Sequence, residues 1–181
     1  MLNDEGLSKY LNLEVAGLSA RAKVVSPASV VTAPWVSFKC LYGCKDQTWT
    51  CPPYSPTYLQ TRAVLDSFQR AILYNYQVPP ESNSRELTRS IKEALVDLEG
   101  EMFKDGCYKA FAFLQGPCLI CKECGRSTGA TTECKFRQRA RPSMEACGID
   151  VFQTARNNGF TIVPLKTRQD LRNHFCLMMV D

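Results

Sequence analysis

The chain has 181 residues, a net charge of +4, 45% apolar residues and 22% charged ones, which excludes a wholly disordered protein and gives too mild a positive charge to argue for nucleic acid. No stretch approaches the roughly 18 consecutive apolar residues of a membrane span, and the opening MLNDEGLSKYLNLEVAG lacks a basic segment followed by an apolar one, so no signal peptide is expected. The outlier is cysteine, with ten residues against a single histidine. In a chain long enough to bury its own core and expected in the reducing cytoplasm, clustered cysteines point to metal or redox chemistry rather than disulfides.

Local signals read as alternating helices and strands. Leu7 to Ala22 is loosely helical, and residues 29–38 form an extended segment bent at Pro34. A turn-rich stretch with Cys40, Cys44 and Cys51 follows, then a short helix from Thr57, as its cap, to Phe68. Residues 71–78, AILYNYQV, make a strand by β-branched and aromatic content, ended by Pro79 and Pro80. From Ser84 to Lys104 the residues Leu87, Ile91, Ala94, Leu95, Leu98 and Met102 recur at helical steps and give one apolar stripe. A strand over 107–115, a second cysteine-rich stretch over 116–141, a helix from Ser143 to about Asn158 stopped at Asn158-Gly159, and strands at 160–165 and 175–180 complete the chain. The expectation is one domain over 1–181 of α/β class, or α+β, with a mixed sheet, flanking helices and two metal-binding cysteine loops at 39–57 and 116–141.

The second loop carries the stronger pattern. Cys118, Cys121 and Cys124 form C-x2-C-x2-C, and Cys134 follows nine residues later. Spacings of two aim thiolates at a common centre, and three in a row with a more distant fourth suit a cubane of irons. Zinc sites more often present two separate C-x2-C pairs. Lys122, Arg126, Lys135, Arg137, Arg139 and Arg141 stand around these thiols against only Glu123 and Glu133, a charge balance that would stabilise an anionic cluster. In the first loop Cys40, Cys44 and Cys51 precede the stiff pair Pro52-Pro53. Three local cysteines leave one position open or filled from afar, with Cys147 the best distant candidate and the open position narrowly favoured. Cys107, Cys176 and His174 read as structural.

In combination, CPPYSP, GPCLICKEC with its trailing cysteine, and RPSMEACGIDVFQTARNNGF resemble a prokaryotic family of predicted metal-binding proteins of unknown function, over about Phe38 to Asp181. The resemblance implies that Cys40, Cys44, Cys51, Cys118, Cys121, Cys124 and Cys134 are the metal-binding positions. The family's proline shortly after the last of these is replaced here by Lys135-Phe136-Arg137. Phosphate-binding and dinucleotide-binding glycine motifs are missing, and one histidine cannot build a two- or three-histidine zinc site. The expected function is an iron–sulfur protein with one or two [4Fe–4S] clusters, carrying electrons or serving a redox partner protein, with neither membrane nor nucleic acid as partner. Two alternatives stay open: an enzyme whose three-cysteine cluster binds a small sulfur-containing substrate, and a Zn2+-stabilised binding module.

Overall fold

A computed structural model describes residues 4–80, 84–130 and 132–181; position 131 of the second cysteine loop and the first three residues of the N-terminal stretch lie outside these. The frame is a four-stranded sheet in the order β3 (Arg21–Val25), β4 (Ala71–Val78), β6 (Arg172–Met179), β5 (Phe111–Phe113). Each of the three pairings is antiparallel, so the α+β form of the expectation is the one realised. Instead of a mixed sheet there is, among the described residues, only one parallel bridge, Leu114 with Ser143, beyond the end of β5.

β4 is buried on both faces, which is why its sequence is apolar almost throughout instead of alternating. Its period of two divides the core. Ile72, Tyr74, Tyr76 and Val78 join Cys176 and Met178 of β6 beneath helix α4 (Ser84–Lys104), whose Ile91, Leu95, Leu98 and Met102 form the buried stripe. On the other face Leu73, Leu177 and Met179 pack with Leu65 of α3 (Tyr58–Asp66) and with Met144, Cys147, Ile149 and Phe160. Thr57 caps α3 as expected, in a reciprocal pair with Gln60.

Several boundaries differ from the sequence reading, each for a local reason. The N-terminal helix, α1, spans only Asp4–Leu11 and is followed by a small hairpin, β1 (Glu14–Val15) with β2 (Leu18–Ser19). The turn between them places Ala16 and Gly17 at positive φ, which a helix through Ala22 would not allow. Pro34 does not bend an extended segment; it opens helix α2 (Pro34–Gly43). Proline is at no disadvantage at a first helical position, where its missing N–H has no partner to lose, and Ala33 before it is extended at φ −149° and ψ 144°. Cys40 therefore stands on a helix.

The strand expected over 107–115 is reduced to Phe111–Phe113, because Ala110 N–H donates to Cys107 C=O and closes a turn before it. Residues 143–148 form a turn that ends at Gly148, with φ +75°, and helix α6 (Val151–Asn157) begins only after Asp150, whose side chain caps Gln153 N–H. Asn158-Gly159 stops it as expected, with Phe160 N–H returning to Ala155 C=O at 2.9 Å. Residues 160–165 pair with no strand among the described residues, and the last strand starts at Arg172 rather than 175.

Candidate metal centres

The first group of thiols is assembled by α2 and the turns after it. Cys40 lies in the last turn of α2, Cys44 is its C-terminal cap, and Cys51 sits in a tight turn. That turn runs from Thr48, whose C=O accepts from Cys51 N–H at 3.1 Å, to Tyr54, whose N–H donates to Cys51 C=O at 2.9 Å. Cys51 is buried, and its sulfur lies 3.4 Å from both the backbone N–H and the hydroxyl of Thr48. The peptide bond between Pro52 and Pro53 is cis.

Cys40, Cys44 and Cys51 line one cavity of about 600 Å³. Its far walls come from Gly116 and Pro117, from Ser143, Glu145, Val151 and Ile162, and from Arg172 and His174 at the start of β6. The site thus lies where β6 begins and β5 ends. The Cys40 thiol is pushed up to about 12, first by burial and then by the negative neighbours Cys51, Cys44 and Glu145. A Cys40 thiol so placed resists deprotonation unless a cation joins it.

The second group is held by α4. Near the start of the loop, Arg89 Nε donates to Leu119 C=O at 2.9 Å, and Lys92 Nζ donates to Pro117 C=O. Near its end, Arg139 pairs with Asp97 at 2.8 Å, and Arg141 forms a two-pronged pair with Glu99 at 2.9 and 2.6 Å. Between these tethers Cys118, Cys121, Cys124 and Cys134 all line one small crevice, closed by Ile120, Phe136 and Ala140. The Cys118 thiol is raised mainly by burial, against which the Ile120 backbone N–H and the Lys92 ammonium act. Cys121 is raised by burial and by Cys124 and Cys134, with Lys135 opposing. Cys124 also caps the short helix α5 (Gly125–Thr128).

The two groups adjoin. Thr48, Trp49 and Thr50 of the first loop complete the crevice of the second. Arg126 crosses between them, donating to Thr48 C=O at 2.7 Å, to the Gln47 side chain at 3.0 Å and to Pro52 C=O at 3.3 Å, while stacking on Tyr54. Of the basic residues read as a field around the thiols, Arg126, Arg139 and Arg141 are thus engaged as clamps. Lys135 acts on the Cys121 thiol, and the unforeseen Lys92 on that of Cys118. Lys92 is only 5% exposed; the helical stripe could have flagged it, since it follows Ile91 on the buried side of α4.

The segment SMEACGID fixes the first loop against the sheet. Leu114 N–H donates to Pro142 C=O and Met144 N–H to Leu114 C=O; Ala33 N–H donates to Gly148 C=O at 2.8 Å, and Ser55 Oγ to Ala146 C=O at 2.8 Å. A Cβ on Gly148 would lie 2.6 Å from that of Tyr58, so glycine is needed there for packing as well as for its φ. Cys147 is fully buried among apolar residues, its thiol pushed up to about 12 chiefly by burial, and it does not line the cavity of the three cysteines. Cys107 and Cys176 lie in the opposite core, as expected, with Cys176 donating to Gln115 Oε1 at 2.7 Å.

The ten cysteines carry no disulfide. Among the described residues no three or more His, Cys, Asp or Glu side chains already converge as an ion site. The donor chemistry nevertheless fits a metal in both places: each group gathers thiols whose mutual repulsion a bound cation would relieve. No helix among the described residues is long and apolar enough to cross a membrane. No curated protein and no solved structure matches the chain. The family described as "Predicted metal-binding protein (DUF2284)" matches residues 23–180, which contain both cysteine groups and the segment that braces them, and the chain belongs to that family.

Proposed function

We propose that the chain is an iron–sulfur protein, with a [4Fe–4S] cluster held by Cys118, Cys121, Cys124 and Cys134 and a second iron centre at Cys40, Cys44 and Cys51. The observation that carries this reading is the shared crevice of the four second-loop thiols, brought together by tethers to α4 rather than by disulfides. The overlapping C-x2-C-x2-C spacing favours a cluster over a lone tetrahedral ion. A cluster of this kind supplies one-electron transfer. The chain's own part is to hold the thiolates, set a buried ammonium beside Cys118 and keep the two loops in contact through Arg126. The function that follows is electron carriage, or electron delivery to a redox partner protein.

A second reading concerns the first centre. Its three thiols face a cavity of about 600 Å³, within the usual size range of small-molecule sites. That favours an enzyme in which a small sulfur-containing ligand reaches the metal. Anaerobic purification followed by iron, sulfide and zinc analysis, with absorbance near 400 nm, tests the assignment. Iron and sulfide in near-equal amounts, at four or more per chain, are expected; stoichiometric zinc without sulfide overturns it in favour of a zinc-stabilised module.

A further inference from the structure

Three cysteines leave the first centre short of four thiolates, and the walls of its cavity hold few groups able to complete it. Cys147 is buried in the core and absent from those walls. Asp150 is on the wall, but its carboxylate accepts from Gln153 N–H at 2.9 Å. The His174 ring is turned to Gln115, 3.5 Å from its amide nitrogen. Glu145 differs from all of these. Its Oε2 is sealed from solvent and has no hydrogen-bond partner among the described residues, while the residue lines the same cavity as Cys40, Cys44 and Cys51.

A buried carboxylate oxygen without a partner is costly; the Lys92 ammonium acts on Glu145 without bonding its Oε2, and a bound cation would supply the missing partner. The backbone under Glu145 is pinned: Gly148 N–H donates to Glu145 C=O at 3.1 Å, and Ala146 C=O accepts from Ser55 Oγ in the loop that carries Cys51. The negative charge of Glu145 acts on Cys40, which puts the carboxylate within electrostatic reach of the thiol group.

We propose that Glu145 supplies the fourth protein ligand of the first centre, giving it three thiolates and one carboxylate. This rests on the reading that Cys40, Cys44 and Cys51 hold metal. Oxygen is a harder donor than sulfur and binds thiolate-ligated iron less firmly. The position that Glu145 occupies is therefore the exchangeable one, and the cavity beside it is where an incoming ligand would displace the carboxylate.

The test compares wild type, Glu145→Gln and Glu145→Cys, each reconstituted anaerobically with iron and sulfide. Iron per chain is measured after gel filtration, and the electron paramagnetic resonance spectrum of the reduced protein is recorded with and without potassium cyanide. Wild type is expected to keep its full iron and to change spectrum with cyanide. Glu145→Gln should lose at least threefold more iron from the first centre. Glu145→Cys should keep the iron but lose the cyanide response, because a fourth thiolate is not readily displaced. Equal iron and equal cyanide responses in all three proteins overturn the proposal. If Glu145→Gln fails to fold, Glu145→Cys decides alone: an unchanged cyanide response refutes the ligand role. If wild type takes up no iron and sulfide, the cluster reading fails separately, and cobalt(II) titration of the same proteins answers the question about Glu145. Absorption bands that differ between wild type and Glu145→Gln support ligation, and identical bands refute it.

Discussion

Gly148→Ala tests whether the segment after the second loop braces the first centre. The added methyl meets Tyr58 Cβ at 2.6 Å, Tyr58 Cα at 3.1 Å and Ala33 C=O at 3.3 Å, two of the three being backbone atoms that cannot swing away. Overpacking of this kind costs about 1–3 kcal/mol, and holding an L-residue at φ +75° adds roughly 1–2 kcal/mol. Gly159 is the internal control, since it has the same φ of +75° but its added methyl would meet only the Lys23 amine, the far end of a long side chain, at 3.2 Å. Gly159→Ala should therefore lower the stability by the backbone part alone, and Gly148→Ala by about 2–5 kcal/mol in all. At roughly 2–4 °C per kcal/mol for a chain of this size, the two melting temperatures should separate by about 2–12 °C. Thermal melts by circular dichroism read the difference. Gly148→Ala should also release first-centre metal to a chelator faster, because Gly148 C=O anchors Ala33 just before the helix that bears Cys40. Equal melting temperatures for the two variants, or an unchanged chelation rate in Gly148→Ala, would refute the reasoning.

Glu99→Gln should destabilise the protein by about 3–5 kcal/mol, because it leaves the largely buried Arg141 without its ion partner; it should also loosen the second loop, seen as faster chelation of metal there, and an unaltered denaturant midpoint would count against that tether. After metal removal, the six half-buried cysteines 40, 44, 118, 121, 124 and 134 should react with a thiol reagent under native conditions, whereas Cys51, Cys107, Cys147 and Cys176 should stay protected until unfolding; mass spectrometry of the labelled peptides checks the division. His174 is held down to about 4 by burial, with Lys92 and Arg172 adding to the effect, while an unfolded histidine protonates near 6.5. The unfolded chain therefore takes up this proton first on acidification, and the associated stability, complete above about 6.5, falls away as the pH drops toward 4. His174→Gln should flatten that part of the stability profile, and the single histidine ring resonance in proton NMR should titrate near 4 in the wild type.

The elements legible in the sequence are those whose signals are local and repeated. The stripe of α4, the β-branched and aromatic content of β4 and the Thr57 cap each state their structure within a few residues, and each is found with its expected boundaries or within two residues of them. What the sequence concealed depends on partners far along the chain. Pro34 fits either a kinked strand or a helix start, and the tie from Ala33 to Gly148 that distinguishes them spans most of the chain. Gly148 reads as an ordinary glycine inside a helical run until Tyr58 is seen against it. The cysteine spacings identified two groups of thiols, but not that the groups adjoin, since that contact runs through Arg126 and the backbone of Thr48. Glu145 gave no signal in the sequence, being one acidic residue among many until its unpartnered oxygen appears on the cavity wall.

Lys92 ties the fold to the chemistry more closely than either loop alone. Its ammonium is almost wholly buried and donates to a backbone carbonyl of Pro117, and burial lowers its tendency to stay charged. The groups that oppose this are Cys176, Cys118, Glu145 and Cys51, three of them lining the two candidate centres. A cation placed there is stabilised to the extent that those centres are anionic, and each centre is stabilised by the cation in the same measure, since the interaction is mutual. The position of Lys92 follows from the helical stripe: the residue after Ile91 is carried inward with it, toward the edge of the sheet where β5 ends and both loops converge. A helix whose apolar stripe packs on one side of the sheet thereby delivers a buried positive charge to the place where the cysteines gather.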